Sequence, residues 1–230
     1  MSMQCPKCGS FHIRKNGKRG EKQNHICADC GRQFIDSYSQ RGYEPKVKEL
    51  CLKMYCNGMG FRQIERCTDV CHNTVINWVK KSAKALPKQP TIEAIPEVGE
   101  LDELQTFVGK KNLIWLWTAV NHFKEGILGW VLGDRSSKTF ARLWERIKGW
   151  QCYFWVTDGY EVYQKFINSE DQIISKTYMT RVEGENTRLR HYLARLGRKT
   201  LCYSKSAEML EYSVRLLIYY LQNRAIPEFS

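Results

Sequence analysis

The stretch Gly99-Glu100-Leu101-Asp102-Glu103-Leu104, continued by Gln105-Thr106-Phe107-Val108, sets the architecture of the larger part of this chain. Apolar and polar residues alternate along it, which is typical of a β-strand with one buried face. Two more strand-like segments, residues 113–120 and 126–132, follow after short polar turns and complete a predicted antiparallel meander. Asp102 lies inside the first strand, where an ionised carboxylate costs several kcal/mol unless a salt bridge or a metal ion compensates it.

The order of elements after the meander predicts the fold. Helical periodicity over residues 138–148 precedes a continuous apolar strand, Cys152 to Val156, which ends at Thr157-Asp158-Gly159. A helix over 160–167, a short strand over 172–175 and two later helices, beginning near 181 and 204, complete the pattern. The order βββαβαβ followed by helices is that of the ribonuclease H-like fold, in the α/β (α+β) class.

Charge is distributed unevenly along the chain. Of its 230 residues, 1–90 hold 17 lysines and arginines against 7 acids, whereas 91–230 hold 19 against 17. A basic head on a nearly neutral globular body suggests a polyanion-binding part joined to a working domain. The sequence has no charged-then-apolar signal segment and no apolar run of membrane-spanning length, so we expect no membrane partner.

The ten cysteines indicate metal binding, because paired spacing in a reducing cytosol favours metal over disulfides. Cys5 and Cys8 form one CxxC knuckle, and Cys27 and Cys30 form a second after 18 intervening residues. This spacing predicts a zinc ribbon over residues 1–40, in which four thiolates hold one structural Zn²⁺. The alternative is four unrelated core cysteines, but so short and polar a segment offers no core. Two histidines there, His12 and His25, are not needed as ligands.

Residues 44–84 show helical periodicity and predict a helix-turn-helix DNA-binding domain. Asn57-Gly58 ends a first helix, a second contains Phe61 and Ile64, and Asn73 is the predicted N-cap of a third. Besides Asn73, the residues that this third helix would present to a DNA groove are His72, Thr74, Asn77, Lys80 and Lys81. A three-helix dimerisation module is the alternative. Four further cysteines here, Cys51, Cys56, Cys67 and Cys71, are expected to be small buried residues.

Residues 85–98 contain three prolines and predict an extended linker. We therefore expect four parts: a zinc ribbon (1–40), a helix-turn-helix (44–84), the linker (85–98) and a catalytic domain (99–230).

Three carboxylates can meet at one edge of the predicted sheet: Asp102, Asp158 and Glu183, the last on a helix near residues 181–190. Ionised carboxylates so close together require cations, and hard oxygen ligands suit Mg²⁺ or Mn²⁺. Two such ions support in-line phosphoryl transfer. The alternative is that each acid pairs with a nearby lysine or arginine. Arg190 shares a helical face with Glu183 and is expected beside the metal site, on a phosphate.

The sequence resembles the bacterial insertion element one family of transposases, with the small InsA-like part and the catalytic InsB-like part in one frame. The resemblance covers almost the whole chain. It is carried by the cysteine knuckles, by Leu101-Asp102-Glu103, Thr157-Asp158-Gly159 and Arg181-Val182-Glu183, and by Leu193-Ala194-Arg195-Leu196-Gly197-Arg198-Lys199 with Tyr203-Ser204-Lys205-Ser206.

The resemblance implies a DDE recombinase whose Asp102, Asp158 and Glu183 bind divalent metal, which cleaves the element's inverted-repeat ends and joins their 3′-OH groups to target DNA. Asp158 and Glu183 have 24 residues between them, in keeping with this family, and position 121 is Asn where relatives often have Asp. Glu103 and Glu185 are rival carboxylates. Strand alternation points Glu103 away from Asp102, and Glu185 matches the family motif less well than Glu183.

Two other functions remain open on the sequence: a non-catalytic DNA-binding regulator, and an RNA-directed nuclease of the same fold. For the transposase we expect double-stranded DNA as partner, a homodimer or higher oligomer on that DNA, and a bacterial cytoplasmic, nucleoid-associated location.

Overall fold

The computed structural model describes residues 3–37, 42–92, 94–109 and 112–227. The chain divides into two compact units, Met1–Tyr43 and Glu44–Ser230. No helix in the described ranges is both long and apolar enough to cross a membrane.

The N-terminal unit is a three-stranded antiparallel sheet with strand order β1-β2-β3. Its strands are β1 (Ile13–Arg19), β2 (Lys22–Cys27) and β3 (Gln33–Ile35). Among its described residues the buried apolar cluster consists of Cys5, Cys27 and Phe34, with Ile13 and Cys30 packed against it. Each cysteine knuckle is followed by a glycine with positive φ, Gly9 at 72° and Gly31 at 68°, because the chain reverses there. So small a core cannot by itself stabilise the unit.

The larger unit is built on a five-stranded mixed sheet with strand order β6-β5-β4-β7-β8. The strands are β4 (Val98–Val108), β5 (Asn112–Asn121), β6 (Ile127–Gly133), β7 (Phe154–Thr157) and β8 (Gln172–Ile174). The first three pair antiparallel, as the sequence predicts, and β7 runs parallel to both β4 and β8. Part of the predicted turn between β4 and β5, residues 110–111, lies outside the described residues. The sheet is compatible with a ribonuclease H-like fold.

Six α-helices accompany the sheet in the described ranges. They are α1 (Pro45–Cys56), α2 (Phe61–Thr68), α3 (His72–Ala85), α4 (Ser137–Ile147), α5 (Thr180–Tyr192) and α6 (Ala207–Asn223). The helix predicted over 160–167 is wrong, because this segment holds only a single 3₁₀ turn, Tyr163–Lys165. Its tyrosines are anchored separately: Tyr160 Oη donates to the Arg135 carbonyl (2.9 Å) and Tyr163 Oη to Glu103 Oε2 (2.6 Å).

The two faces of the sheet bury different clusters. On one face Trp117 and Leu101 pack with Phe140 of α4 and with Tyr163. On the other face, Leu104 and Leu116 pack with apolar residues of α5 and α6. Alternation along β4 therefore sends odd-numbered side chains near Asp102 towards α4 and even-numbered ones towards α5.

Helices α1 and α3 pack on α6, α2 packs on α1 and α3, and all three belong to one compact unit with the sheet. Val79 and Ala83 of α3 share a buried cluster with Leu217, and Tyr55 Oη lies 2.6 Å from Ser213 Oγ. The boundary predicted at 85–98 therefore does not separate two packed bodies. Within it, the Gln89 side chain binds the backbone of Trp130 on edge strand β6 through two hydrogen bonds of 3.0 and 3.1 Å.

Two local predictions in the helical part need correction. Helix α3 begins at His72 with Cys71 as its N-cap, so Asn73 lies inside the first turn and does not cap it. Glu65 of α2 takes the capping role instead, since its Oε1 accepts the His72 N–H (3.1 Å). Cys51 and Cys56 are buried as predicted, but Cys67, near the end of α2, and Cys71, the N-cap of α3, are exposed.

Candidate active site and metal centre

Asp102 lies on β4, and Asp158 lies one residue beyond the end of the neighbouring parallel strand β7. The parallel register pairs Gly99 with Trp155 and Glu100 with Val156. Asp102 comes two residues after Glu100, and Asp158 comes two residues after Val156, so the two aspartates follow the paired residues at the same spacing. Asp158 follows the last residue of β7, and Gly159 turns the chain away at φ 83°. A side chain at position 159 would meet Ile174 at 2.7 Å, so glycine is required there.

Asp102 is held by α5. Its Oδ2 accepts a hydrogen bond of 2.7 Å from Asn186 Nδ2. Burial raises the pKa of the Asp102 carboxyl to about 6, and repulsion from Glu103 and Asp158 raises it further, against the Asn186 hydrogen bond and the N–H of Glu103. A carboxylate whose ionised form is disfavoured by burial and by neighbouring acids is one that a bound cation would stabilise.

Glu183 lies in the first turn of α5 and is exposed. Residues 183, 186 and 190 are spaced by three and four along α5, so they share one helical face. The third carboxylate is therefore on the face that meets Asp102. The oxygens of Asp102, Asp158 and Glu183, all described residues, do not all come within 4.8 Å of one another. The two aspartates are near enough to repel each other, and Glu183 lies about one helical turn from Asn186, the residue of α5 that contacts Asp102.

Arg190, on the same face of α5 as Asn186, links α5 to β4 and to the segment that follows α5. Its guanidinium donates to the carbonyls of Leu196 (3.1 Å) and Gln105 (3.2 Å). Burial and the nearby Arg198 lower its pKa, whereas attraction from Asp102 opposes that change. Arg190 is thus electrostatically coupled to Asp102 while it ties α5 to β4.

The two alternative carboxylates, Glu103 and Glu185, form hydrogen bonds with other residues. Glu103 points to the opposite sheet face, as strand alternation predicts, where Arg135 binds its Oε1 (2.9 and 2.5 Å) and Tyr163 its Oε2. The Arg135 guanidinium lies over the rings of Trp115 and Tyr160, 4.8 and 4.2 Å from their centroids. Glu185 is buried and accepts from Arg188 (2.8 Å) and from the Gly126 N–H (3.0 Å). Both acids therefore have structural partners.

The four knuckle cysteines come together in the N-terminal unit, where they form a group able to hold a metal ion. Cys5 Sγ lies 3.5 Å from Cys30 Sγ, and Cys8 Sγ lies 3.6 Å from Cys27 Sγ. A tetrahedral Zn²⁺ with bonds of about 2.3 Å separates its sulfur ligands by about 3.8 Å, close to these distances. None of the four is disulfide-bonded. His12 and His25 contact Asp29 and Asp36 instead, so the thiols alone form the group.

The residues predicted to read DNA lie along α3. Asn73, Asn77 and Lys81 are exposed, and Thr74 and Lys80 are half-buried. The opposite side of α3 is buried through Val75, Val79 and Ala83. One face of α3 is therefore committed to packing and the other faces solvent.

Sequence comparison identifies the larger unit. The family described as IS1 transposase matches residues 97–224, more than half of the chain. The chain belongs to the IS1 transposase family. It is 37% identical over 111 residues to the insertion element IS1 protein InsB of Shigella sonnei. The aligned region covers 48% of this chain and 85% of that protein. An InsB protein of Escherichia coli K12 and one of Haemophilus ducreyi match at the same identity, over 48% of this chain and 66% of each relative.

This IS1-family chain contains a buried carboxylate that sequence reasoning missed. Glu100 is fully buried, accepts the N–H of Val182 in the first turn of α5 (2.7 Å) and contacts His122 Nδ1 (2.5 Å). It lies two residues before Asp102 on the same strand face, so alternation could have placed it towards the same helix. Glu100 fixes the N-terminal end of α5 to β4, beside the helix turn that carries Glu183.

The raised pKa of Asp102 predicts a pH-dependent stability effect. The pKa of Asp102 is about 6 in the folded protein and about 3.9 in the unfolded chain, so ionisation of this carboxyl destabilises the fold. This loss of stability is absent below about pH 4 and complete above about pH 6. Without added divalent cation, Asp102→Asn is expected to raise the unfolding free energy by about 1–3 kcal/mol at pH 8 and to leave it unchanged at pH 4. Urea titrations at both pH values measure this.

The matched control is Asp171→Asn. It removes a carboxylate that accepts a hydrogen bond from Asn168 and is not one of the three predicted metal ligands. An equal gain in that variant, or a gain for Asp102→Asn at pH 4, would contradict the assignment.

Proposed function

We propose that this chain is a DDE transposase that binds the inverted-repeat ends of an insertion element, cleaves them and joins the 3′-OH ends to target DNA. The observation that carries this proposal is the parallel register that sets Asp102 beside Asp158, with Glu183 on the α5 face that meets Asp102. Membership of the IS1 transposase family supports the class of reaction.

In this proposal Asp102, Asp158 and Glu183 hold Mg²⁺ or Mn²⁺. The donor set fits such ions, because it consists of hard oxygen ligands and because burial and the neighbouring acids disfavour the ionised form of Asp102, which a bound cation would stabilise. When bound, two divalent ions supply activation of the attacking oxygen and stabilisation of the leaving oxygen in an in-line displacement. Arg190, coupled to Asp102, offers positive charge for a DNA phosphate close to the carboxylates.

The N-terminal modules are proposed to bind the element's ends. Zn²⁺ held by Cys5, Cys8, Cys27 and Cys30 would be structural, since four thiolates leave no open position. The solvent face of α3, with Asn73, Thr74, Asn77, Lys80 and Lys81, would enter a major groove as the second helix of a helix-turn-helix. Two ends must be processed together, so the active form would be a dimer or higher oligomer on DNA, acting in the bacterial cytoplasm at the nucleoid.

The test of the catalytic proposal is Mg²⁺-dependent joining of 3′-OH ends by the full chain and by variants of the three carboxylates. A non-catalytic DNA-binding regulator would bind the ends and show no metal-dependent joining.

The DNA-binding proposal predicts different effects for two residues of α3. Lys80→Ala is expected to weaken binding to all duplexes about equally. Because one phosphate contact is lost, the plot of log K against log salt should become less steep by about 1. Asn77→Ala is expected to relax discrimination at one base pair by about 1–3 kcal/mol. Salt titrations of full-length protein on end and scrambled duplexes measure both.

Full-length protein is required here because α3 packs against α6, and an isolated fragment would expose that face. The matched control is Lys53→Ala on α1, where Lys53 pairs with Glu49 (2.6 Å). Binding that is insensitive to salt, or an equal loss in the Lys53 variant, would contradict the assignment to α3.

A further inference from the structure

The contact between α5 and β4 contains a residue with no role in the carboxylate triad. Asn186 is 7% exposed and lies between Glu183 and Arg190 on the α5 face that meets β4. Its Nδ2 donates to Asp102 Oδ2 over 2.7 Å. Its Oδ1 accepts from Thr118 Oγ1 over 3.1 Å, and Thr118 is fully buried on β5.

The polarity of this chain of hydrogen bonds is determined by its members. An ionised carboxylate can only accept, so the amide must turn its NH₂ group to Asp102 and its oxygen to Thr118. The Thr118 hydroxyl, also 3.3 Å from the Asp102 carbonyl, then serves as donor. The carboxylate therefore sets which way the amide faces, the buried hydroxyl anchors the amide oxygen in that orientation, and the amide fixes one oxygen of Asp102.

The backbone keeps these groups in place. Thr118 is the register partner of Asp102 across β4 and β5, and Glu100 secures the first turn of α5 through the Val182 N–H. Asn186 thus has little freedom to leave Asp102. Outer partners that orient a metal ligand in this way govern metal affinity.

We propose that Asn186, oriented by Thr118, is a positioning residue that holds Asp102 by Oδ2 and leaves Oδ1 as the oxygen offered to a divalent cation. This inference rests on the proposed function, because it takes Asp102 as a metal ligand. It assigns to α5 a second role besides carrying Glu183.

The experiment measures Mn²⁺ binding to zinc-loaded full-length protein by electron paramagnetic resonance at fixed pH, without DNA. Asn186→Leu, close in size but unable to donate, is expected to weaken Mn²⁺ binding about 10–100-fold. Thr118→Val removes the orienting hydroxyl at nearly constant volume and is expected to weaken binding about 3–10-fold, whereas Thr118→Ser keeps the hydroxyl and should retain wild-type affinity.

Thr106→Val is the matched control, since Thr106 is a buried threonine on the same face of β4 whose hydroxyl lies 3.5 Å from the Arg195 carbonyl. It should bind Mn²⁺ as the wild type does. A difference between Thr118→Val and Thr118→Ser supports positioning, because both are small changes at one buried site and only one removes the donor.

Asp102→Asn separates failure of this inference from failure of the proposed function. Weak binding by Asp102→Asn together with wild-type binding by Asn186→Leu overturns the positioning role and leaves the metal site intact. Wild-type binding by Asp102→Asn overturns both. Equal weakening in the Thr118→Val, Thr118→Ser and Thr106→Val variants would mean general destabilisation and would also overturn the inference.

Discussion

Asp158→Asn is expected to reduce Mg²⁺-dependent joining of 3′-OH ends by at least about 10³-fold while binding of the ends persists. Loss of one carboxylate removes several kcal/mol of transition-state stabilisation, and each 1.4 kcal/mol is about tenfold in rate. The substitution preserves the fold, because asparagine keeps the oxygen that accepts the Tyr160 N–H (2.9 Å). Single-turnover joining on a substrate with the element's true ends is the measurement.

Asp171→Asn is again the matched control and should join as the wild type does, since Asp171 lies before β8 and bonds Asn168. Near-wild-type joining by Asp158→Asn would remove Asp158 from the site. It would also show that the parallel pairing of β4 with β7 does not make Asp102 and Asp158 parts of one site.

The same assay decides between the two glutamates of α5. Glu183→Gln alters an exposed side chain and is expected to abolish joining without changing stability. Glu185→Gln keeps an oxygen that can accept the Gly126 N–H but removes the buried negative charge that pairs with Arg188, so it is expected to lower stability and to retain joining. The reverse result would assign the third carboxylate to Glu185.

Local patterns were sufficient to predict much of this architecture. Alternation along residues 99–108 predicted that Asp102 and Glu103 point to opposite sides of β4, because side chains in a strand change face at every residue. Knuckle spacing predicted the cysteine group for a similar reason, since two short turns bring four thiols to one point.

Contacts between distant segments could not be predicted in this way. Asn186 and Asp102 are 84 residues apart, and periodicity along α5 shows only that residue 186 shares a face with 183 and 190. The docking of α1–α3 on α6 depends on which apolar faces meet, and an amphipathic pattern does not name its partner. The prolines of residues 85–98 predict an extended linker, and their composition gives no sign that Gln89 binds an edge strand.

Cys8→Ser is expected to unfold the N-terminal unit and leave the larger unit folded. The cluster Cys5, Cys27 and Phe34 is too small to stabilise three short strands, so folding depends on the metal. Structural zinc contributes about 10–16 kcal/mol of apparent binding free energy in small zinc domains, far more than this core can supply. The purified wild-type chain should contain zinc bound by the four thiolates, and the variant should lose it.

The two units allow the effect to be localised. In Cys8→Ser, amide exchange should lose protection in the strands β1–β3 and keep it in β4–β8, because residues 44–230 have their own core. Cys202→Ser is the matched control, since Cys202 is exposed and outside the cysteine group. Affinity for the element's ends should fall in the Cys8 variant and not in the control. A wild-type chain without bound zinc, or protected β1–β3 amides in the variant, would show that the four thiols do not serve as a structural metal site.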